Sequence, residues 1–146
     1  MKNKKTNTDA NSLEIPFIMI KVGDFTGLAL LVIPYVRGNY ISRDIYKQLQ
    51  GLFEPVEATS FCGGIYGTEI ELVNGDLSMC GRDYKMLFWV ANNTSFYEYA
   101  SKRLGVPVCG VIGAQFMSDH NWELDYDKKQ IVIPDYDSDY SLINYN

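Results

Sequence analysis

The chain has 146 residues, with 13 Lys or Arg against 18 Asp or Glu, so its formal net charge at pH 7 is −5. A chain of this length is the size of one domain and buries enough surface to fold without a disulfide or a structural metal. The acidic balance excludes a nucleic-acid binder that relies on the phosphate backbone, because such binding needs an excess of basic side chains.

The cysteines and the N-terminal segment indicate the compartment. Cys62, Cys80 and Cys109 are odd in number and far apart, which is typical of reduced thiols and not of a disulfide framework or a zinc site. The segment "MKNKKTNTDANSLE" lacks the apolar stretch of a secretory signal, and no apolar run reaches the length of a membrane span. We therefore expect a soluble, cytoplasmic protein with no membrane partner, no metal and no cofactor.

The polarity of the sequence predicts one domain between two tails. Residues 1–12 and 135–146 are polar, and the second segment is acidic and rich in Tyr, so we expect both to lack regular structure. Residues 13–134 carry the apolar patterns of a single domain.

The first part of the domain predicts a strand pair and a short helix. "EIPFIMIKVG" and "DFTGLALLVI" are apolar and β-branched, which indicates strands buried on both faces, and the turn signal Gly23-Asp24 joins them into a hairpin. The next segment, "ISRDIYKQLQG", has Ser42 at an N-cap position and Gly51 as a stop signal, which predicts a helix of about two turns.

The rest of the domain is strand-rich. Alternating apolar residues on both sides of Asn74-Gly75 predict a hairpin with a type I′ turn. After it we expect a further strand, a short helical or irregular crossover ending at Gly105, another strand, a helix that starts at Gly113 and a hairpin through "DYDKK". Many short strands with one or two short helices predict a mainly β fold, a small closed barrel.

One pair of side chains could in principle act as a nucleophile and its base. Cys109 lies eleven residues before His120, the only histidine, but the sequence shows neither a nucleophile elbow nor a third group to orient the imidazole. We give this pair little weight as a catalytic site.

The segment "GVIGAQFMSDHNWELDYDKKQIVI" resembles the C-terminal part of retropepsin-like aspartic proteases. That family has a buried strand, an Ile/Leu-Gly pair that opens a short helix, and a strand ending in an Asp-Phe or Asp-Tyr turn. Ile112, Gly113, Phe116 and Met117 take the matching places. Gly113 would let the helix start pack closely under a wide loop, and Phe116 and Met117 would fill the barrel.

The resemblance extends upstream and covers roughly residues 15 to 134. "FCGGIYGTEIEL" resembles the flap hairpin that closes over a peptide substrate in that family, or the strand beside it. The candidate cleft residues are Cys62, Gly63, Gly64, Ile65, Tyr66 and Gly67. The predicted strand pair and the following helix resemble the frame of the catalytic Asp-Thr-Gly, and Ile41-Ser42 match the Ile-Ser at the loop exit.

Counted back from Ile41-Ser42, the family's Asp-Thr-Gly falls on or next to Ile33, Pro34 and Tyr35. In an active retropepsin two chains each give one Asp, and the two carboxylates share a proton and activate the attacking water. Here the acid, its hydroxyl brace and the small residue are all replaced, and residues 28–43 contain no Asp or Glu.

The resemblance therefore implies a pseudoprotease, a catalytically inactive retropepsin-like homodimer that binds a peptide or protein segment. Three alternatives remain open at the level of sequence. A divergent peptidase could use Asp24 or Asp44, although these are predicted in a turn and in the first turn of a helix. A structural or assembly subunit could use some of the 11 tyrosines as contacts, and a β domain unrelated to proteases would need no cleft.

Overall fold

The computed structural model describes residues 15–56, 71–92, 94–134 and 140–145. The strands there are β1 Phe17–Val22, β2 Phe25–Val32, β3 Tyr40–Ser42, β4 Phe53–Val56, β5 Leu72–Met79, β6 Arg82–Ala91, β7 Val108–Ile112, β8 Glu123–Asp125, β9 Gln130–Pro134 and β10 Tyr140–Asn144. The helices are α1 Arg43–Gln48, α2 Thr94–Leu104 and α3 Ala114–His120, with a 3-10 turn at Gln50–Leu52.

Six strands close into a barrel, as the sequence predicts. Their order is β1-β2-β7-β3-β6-β5, and a pairing of β1 with β5 at Lys21 and Ser78 closes the ring. β4 pairs with β5 as a further strand, and β8, β9 and β10 form a second sheet of three strands. β7 is parallel to β2 and antiparallel to β3, so these three strands bring the ends of distant segments together.

The last residues of β2 contact two separate hydrophobic cores. Leu30 and Val32 belong to the barrel core, whereas Ala29 and Leu31 pack under α2 against Tyr97 and other residues of a second cluster. Successive strand residues point to opposite faces, so an unbroken apolar run can supply both cores. The expected burial on both faces is thus right for the end of β2, but it is wrong for β1, where Met19 is 42% exposed.

The predicted hairpin turn at Asn74-Gly75 is wrong. β5 runs straight through these residues, and the turn lies at Cys80-Gly81, whose φ angles of 56° and 75° are both positive. Gly75 is needed because the Phe53 ring of β4 lies where a Cβ would stand. A tertiary contact and not a turn therefore explains this glycine.

The helix ends follow local signals only in part. The N-cap prediction is confirmed, since the Ser42 side chain accepts a hydrogen bond from the Ile45 N–H at 3.2 Å. α1 ends at Gln48, before the predicted stop at Gly51, because residues 50–52 tighten into the 3-10 turn. α2 ends at Leu104 as predicted, and Gly105 follows with φ of 74°.

The expectation of an unstructured tail after Pro134 is wrong for residues 140–145. β10 pairs along its whole length with β9, from Tyr140 opposite Pro134 to Asn144 opposite Gln130, and Tyr145 is buried. β10 was not predicted, because the acidic run before it indicated a polar tail despite the apolar residues Leu142 and Ile143.

The helices are short. The longest one in the described part of the chain is α2, with 11 residues, and no helix there is long and apolar enough to span a membrane.

Candidate functional site

The loop of residues 33–39 connects β2 to β3 and contains the three positions where the resemblance requires Asp-Thr-Gly. Its first residue is fixed to the barrel, since the Ile33 N–H donates to the Ile112 carbonyl of β7 at 2.9 Å. The chain then turns, with a hydrogen bond of 3.4 Å from the Val36 N–H to the Ile33 carbonyl, and Pro34 occupies the second turn position, which its ring favours.

The loop covers the N-terminus of α3. The Ala114 N–H donates to the Val36 carbonyl at 2.7 Å, and the Gln115 N–H donates to the Arg37 carbonyl at 3.1 Å. These are two of the N–H groups that the first turn of a helix leaves without a partner. The loop thus supplies through its backbone what a capping side chain usually supplies.

Gly113 permits this close approach. A Cβ at this position would collide with the carbonyl oxygens of Val36, Arg37 and Gly38. Phe116 and Met117, on the buried face of α3, pack into the barrel core. The structure therefore brings Ile112 and Gly113 of the predicted motif against the loop backbone, and it places Phe116 and Met117 in the barrel core.

Asn39 is the side chain that joins the loop to the strands on both sides. Its Oδ1 accepts from the Gly113 N–H at 2.9 Å, and its Nδ2 donates to the Leu87 carbonyl at 3.1 Å. Its backbone carbonyl accepts from the Trp89 N–H at 2.9 Å. One residue thereby connects β6 to the start of α3, a role that the sequence did not reveal.

The side chains of Ile33 and Tyr35 differ sharply in exposure. Ile33 packs at the edge of the second core, whereas Tyr35 is 85% exposed. Tyr35 lies beside Tyr126 of the β8–β9 turn; partial burial and the hydrogen bond between the two phenols raise the pKa of Tyr126. The loop therefore displays one tyrosine, which lies beside Tyr126, and no carboxylate.

The other candidate chemical groups lie away from the loop. Asp24 is in the β1–β2 turn, at the opposite end of β2 from Ile33, which a strand of this length places more than about 25 Å away. Asp44 is exposed in the first turn of α1, where a negative charge is favourable. Burial raises the pKa of the Cys109 thiol to about 12, which disfavours the reactive thiolate at neutral pH, and His120 is exposed at the end of α3.

A groove of about 510 Å³ lies beside the loop. It is mostly apolar and is lined by Arg37, Gly38, Tyr40, Trp89, Val90, Ala91 and Gln115. Gly38 stands so close to the Trp89 ring that a Cβ there would be 3.0 Å from Nε1. The predicted cleft residues, 62–67, all lie outside the described residues. The groove residues were not singled out from the sequence, because they come from three distant segments and share no local pattern.

Asn39→Ala should lower the free energy of unfolding by about 1–3 kcal/mol, because the buried Gly113 N–H loses its acceptor. Urea unfolding measures this change, with the slope checked for constancy. Asn144→Ala is the matched control, since Asn144 is exposed and accepts only a surface hydrogen bond from Gln130 among the described contacts; its change should stay within about 0.5 kcal/mol. Equal effects of the two substitutions would contradict the role given to Asn39.

No family model and no curated protein sequence matches the chain. Among solved structures, the chain is similar to the retroviral protease-like domain of Ddi1 from Leishmania major, with a TM-score of 0.60 and 10% sequence identity. The match covers 92% of this chain and 98% of that domain. Together with the closed barrel and the loop over α3, it shows that this chain has a retropepsin-like fold.

Proposed function

We propose that this chain is a non-catalytic retropepsin-like protein that binds a peptide or protein segment in the groove beside the loop. The observation that supports the proposal is that the loop is held by β7 and α3 while residues 28–43 contain no Asp or Glu. The resemblance expects the family's Asp-Thr-Gly on or next to Ile33, Pro34 and Tyr35. A general acid or base contributes roughly 10²–10⁴-fold to a rate, and here neither copy of a symmetric pair would supply one.

The positions of the remaining acids argue against a relocated active site. Asp24 and Asp44 are separated from the loop by a strand length and by a helix start, so neither can meet a symmetry mate at the loop in the way that the family's aspartates do. An active peptidase is therefore the weaker alternative.

The groove has the chemistry of a peptide site. Tyr40 and Trp89 supply aromatic surface, while Arg37 and Gln115 offer a charge and hydrogen bonds. Trp, Tyr and Arg are the residues that contribute most to binding energy at protein interfaces. A volume of about 510 Å³ accommodates a few side chains of a bound segment. We expect the preferred segment to carry an aromatic or aliphatic residue next to an acidic one, which would pair with Arg37.

One peptide library tests both halves of the proposal. The protein is incubated with a mixed library from pH 3 to pH 8, retained peptides are separated, and all products are identified by mass spectrometry. We expect retained, intact peptides with an apolar-acidic preference and no cleavage that a transition-state mimic of aspartic proteases inhibits.

Single substitutions test where the peptide binds and whether Asp24 or Asp44 cleaves it. Trp89→Ala should weaken retention about tenfold or more, as at an interface hot spot, whereas Tyr99→Ala, an exposed aromatic residue on α2, should leave it unchanged. Reproducible cleavage that Asp24→Asn or Asp44→Asn abolishes would contradict the non-catalytic proposal. Equal peptide retention by Trp89→Ala and Tyr99→Ala would contradict peptide binding in the groove.

A homodimer, which the resemblance implies, is part of the proposal, and the exposed pair Tyr35 and Tyr126 is the contact that we assign to it. Sedimentation at micromolar concentration should show a species of twice the 16.6 kDa chain mass. Tyr35→Ser should shift it toward the monomer, while Tyr99→Ser should not. A 16.6 kDa species alone would contradict the dimer.

A further inference from the structure

A second cavity, of about 600 Å³, lies away from the residues of the loop and the groove. Its walls come from the start of β6, the last turn of α3 and the end of β9. The side chains in these walls that carry a charge, a hydrogen-bond donor or an aromatic ring include Arg82, Tyr84, Asp119, His120 and Trp122. None of them lines the groove, so this cavity is a separate site from the proposed peptide groove.

The end of α3 fixes Trp122 in this wall. Asn121 adopts a left-handed conformation with φ of 57°, its N–H donates to the Ser118 carbonyl, and the Trp122 N–H donates to the Met117 carbonyl at 2.9 Å. This is the hydrogen-bond pattern of a Schellman motif, which reverses the chain and directs the residue after the turn toward the helix. Trp122 is accordingly 4% exposed and belongs to the barrel core.

Two polar groups in this wall are buried without a hydrogen-bond partner among the described residues. They are the indole Nε1 of Trp122 and the phenol oxygen of Tyr84. The indole N–H can only donate, and the phenol can donate as well. A buried donor without an acceptor is unfavourable, so both groups favour an acceptor that the described part of the chain does not supply.

The wall carries charges of both signs, Arg82 and Lys85 against Asp83 and Asp119. The Arg82 guanidinium is held in place by a hydrogen bond of 2.7 Å to the Pro134 carbonyl. Each wall carboxylate accepts a hydrogen bond from a neutral group, Asp83 from the Ser78 hydroxyl at 2.8 Å and Asp119 from the Gln115 amide at 2.9 Å. The cavity therefore combines two buried donors with a guanidinium whose position is fixed.

Three residues of the wall, Tyr84, His120 and Trp122, belong to an aromatic cluster with Phe116. Tyr84 meets Trp122 edge to face with ring centres 6.1 Å apart, and Phe116 meets Trp122 at 5.1 Å. His120 stacks on Phe116 at 4.2 Å and is the exposed member of the cluster. Such surfaces fit the flat, apolar body of a small ligand.

We propose that this cavity binds a small aromatic carboxylate. Its carboxylate accepts hydrogen bonds from Trp122 Nε1 and from the Tyr84 hydroxyl, with the Arg82 charge nearby, and its ring lies against the aromatic wall. Both donors are buried, so the ligand enters by displacing the exposed imidazole of His120.

The two tryptophans of the chain make the test direct. A proton–nitrogen correlation spectrum of the labelled protein has one indole N–H resonance each for Trp89 and Trp122, assigned with Trp89→Phe and Trp122→Phe. Phenylacetate should move the Trp122 resonance downfield in a saturable way and leave the Trp89 resonance in place. Phenylacetamide, which has the ring without the charge, should bind about tenfold more weakly.

Tyr84→Phe should weaken phenylacetate binding about tenfold, because it removes a donor and keeps the ring, while Tyr99→Phe should not change it. A Trp122 resonance that stays unmoved up to about 10 mM phenylacetate, or that responds equally to the amide, would overturn the proposal. Trp89 reports on the groove and Trp122 on this cavity, so failure of one proposal is distinguishable from failure of the other.

Discussion

The contact between the backbone of the 33–39 loop and the N-terminus of α3 is the constraint on which the rest of the structure depends. Loop carbonyls accept from the Ala114 and Gln115 N–H groups, and Asn39 accepts from Gly113. The same loop is fixed to β7 at one end and to β6 at the other. The contact therefore joins β2, β7, β6 and α3, which lie far apart in sequence, at one point of the barrel.

This contact explains how the loop can keep its shape whatever side chains it carries at positions 33–35. It uses backbone carbonyls, one asparagine side chain and the missing Cβ of Gly113. None of these groups belongs to the side chains at positions 33–35, so those side chains can change without loss of the hydrogen bonds.

Features that depend on neighbouring residues could be predicted from the sequence, and features that depend on distant contacts could not. The Ser42 cap and the end of α2 near Gly105 each have a local physical reason. Gly113 was found from the family motif, although the contact that requires it is with the distant loop carbonyls. The prediction of a turn at Asn74-Gly75 was wrong, because a distant contact overrides the local turn signal. The Phe53 ring lies against Gly75 across the β4–β5 pair. β10 was missed because its short apolar stretch gains its stability from pairing with β9.

The candidate sites show the same division. The lack of any acid in residues 28–43 could be recognised from the sequence alone. The groove could not be predicted, since Arg37, Trp89 and Gln115 meet only in the folded barrel. The cavity beside Trp122 was equally hidden, because an indole donor without an acceptor can be recognised only when its surroundings are known.

Native-state hydrogen exchange of the Gly113, Ala114 and Gln115 amides tests most directly whether the loop contact holds the barrel together. If it does, these amides exchange only through global unfolding, with the same opening free energy as the β2 and β7 amides in the core. Exchange of these amides through a local opening, while the amides of β2 and β7 stay protected, would contradict the central role of the contact.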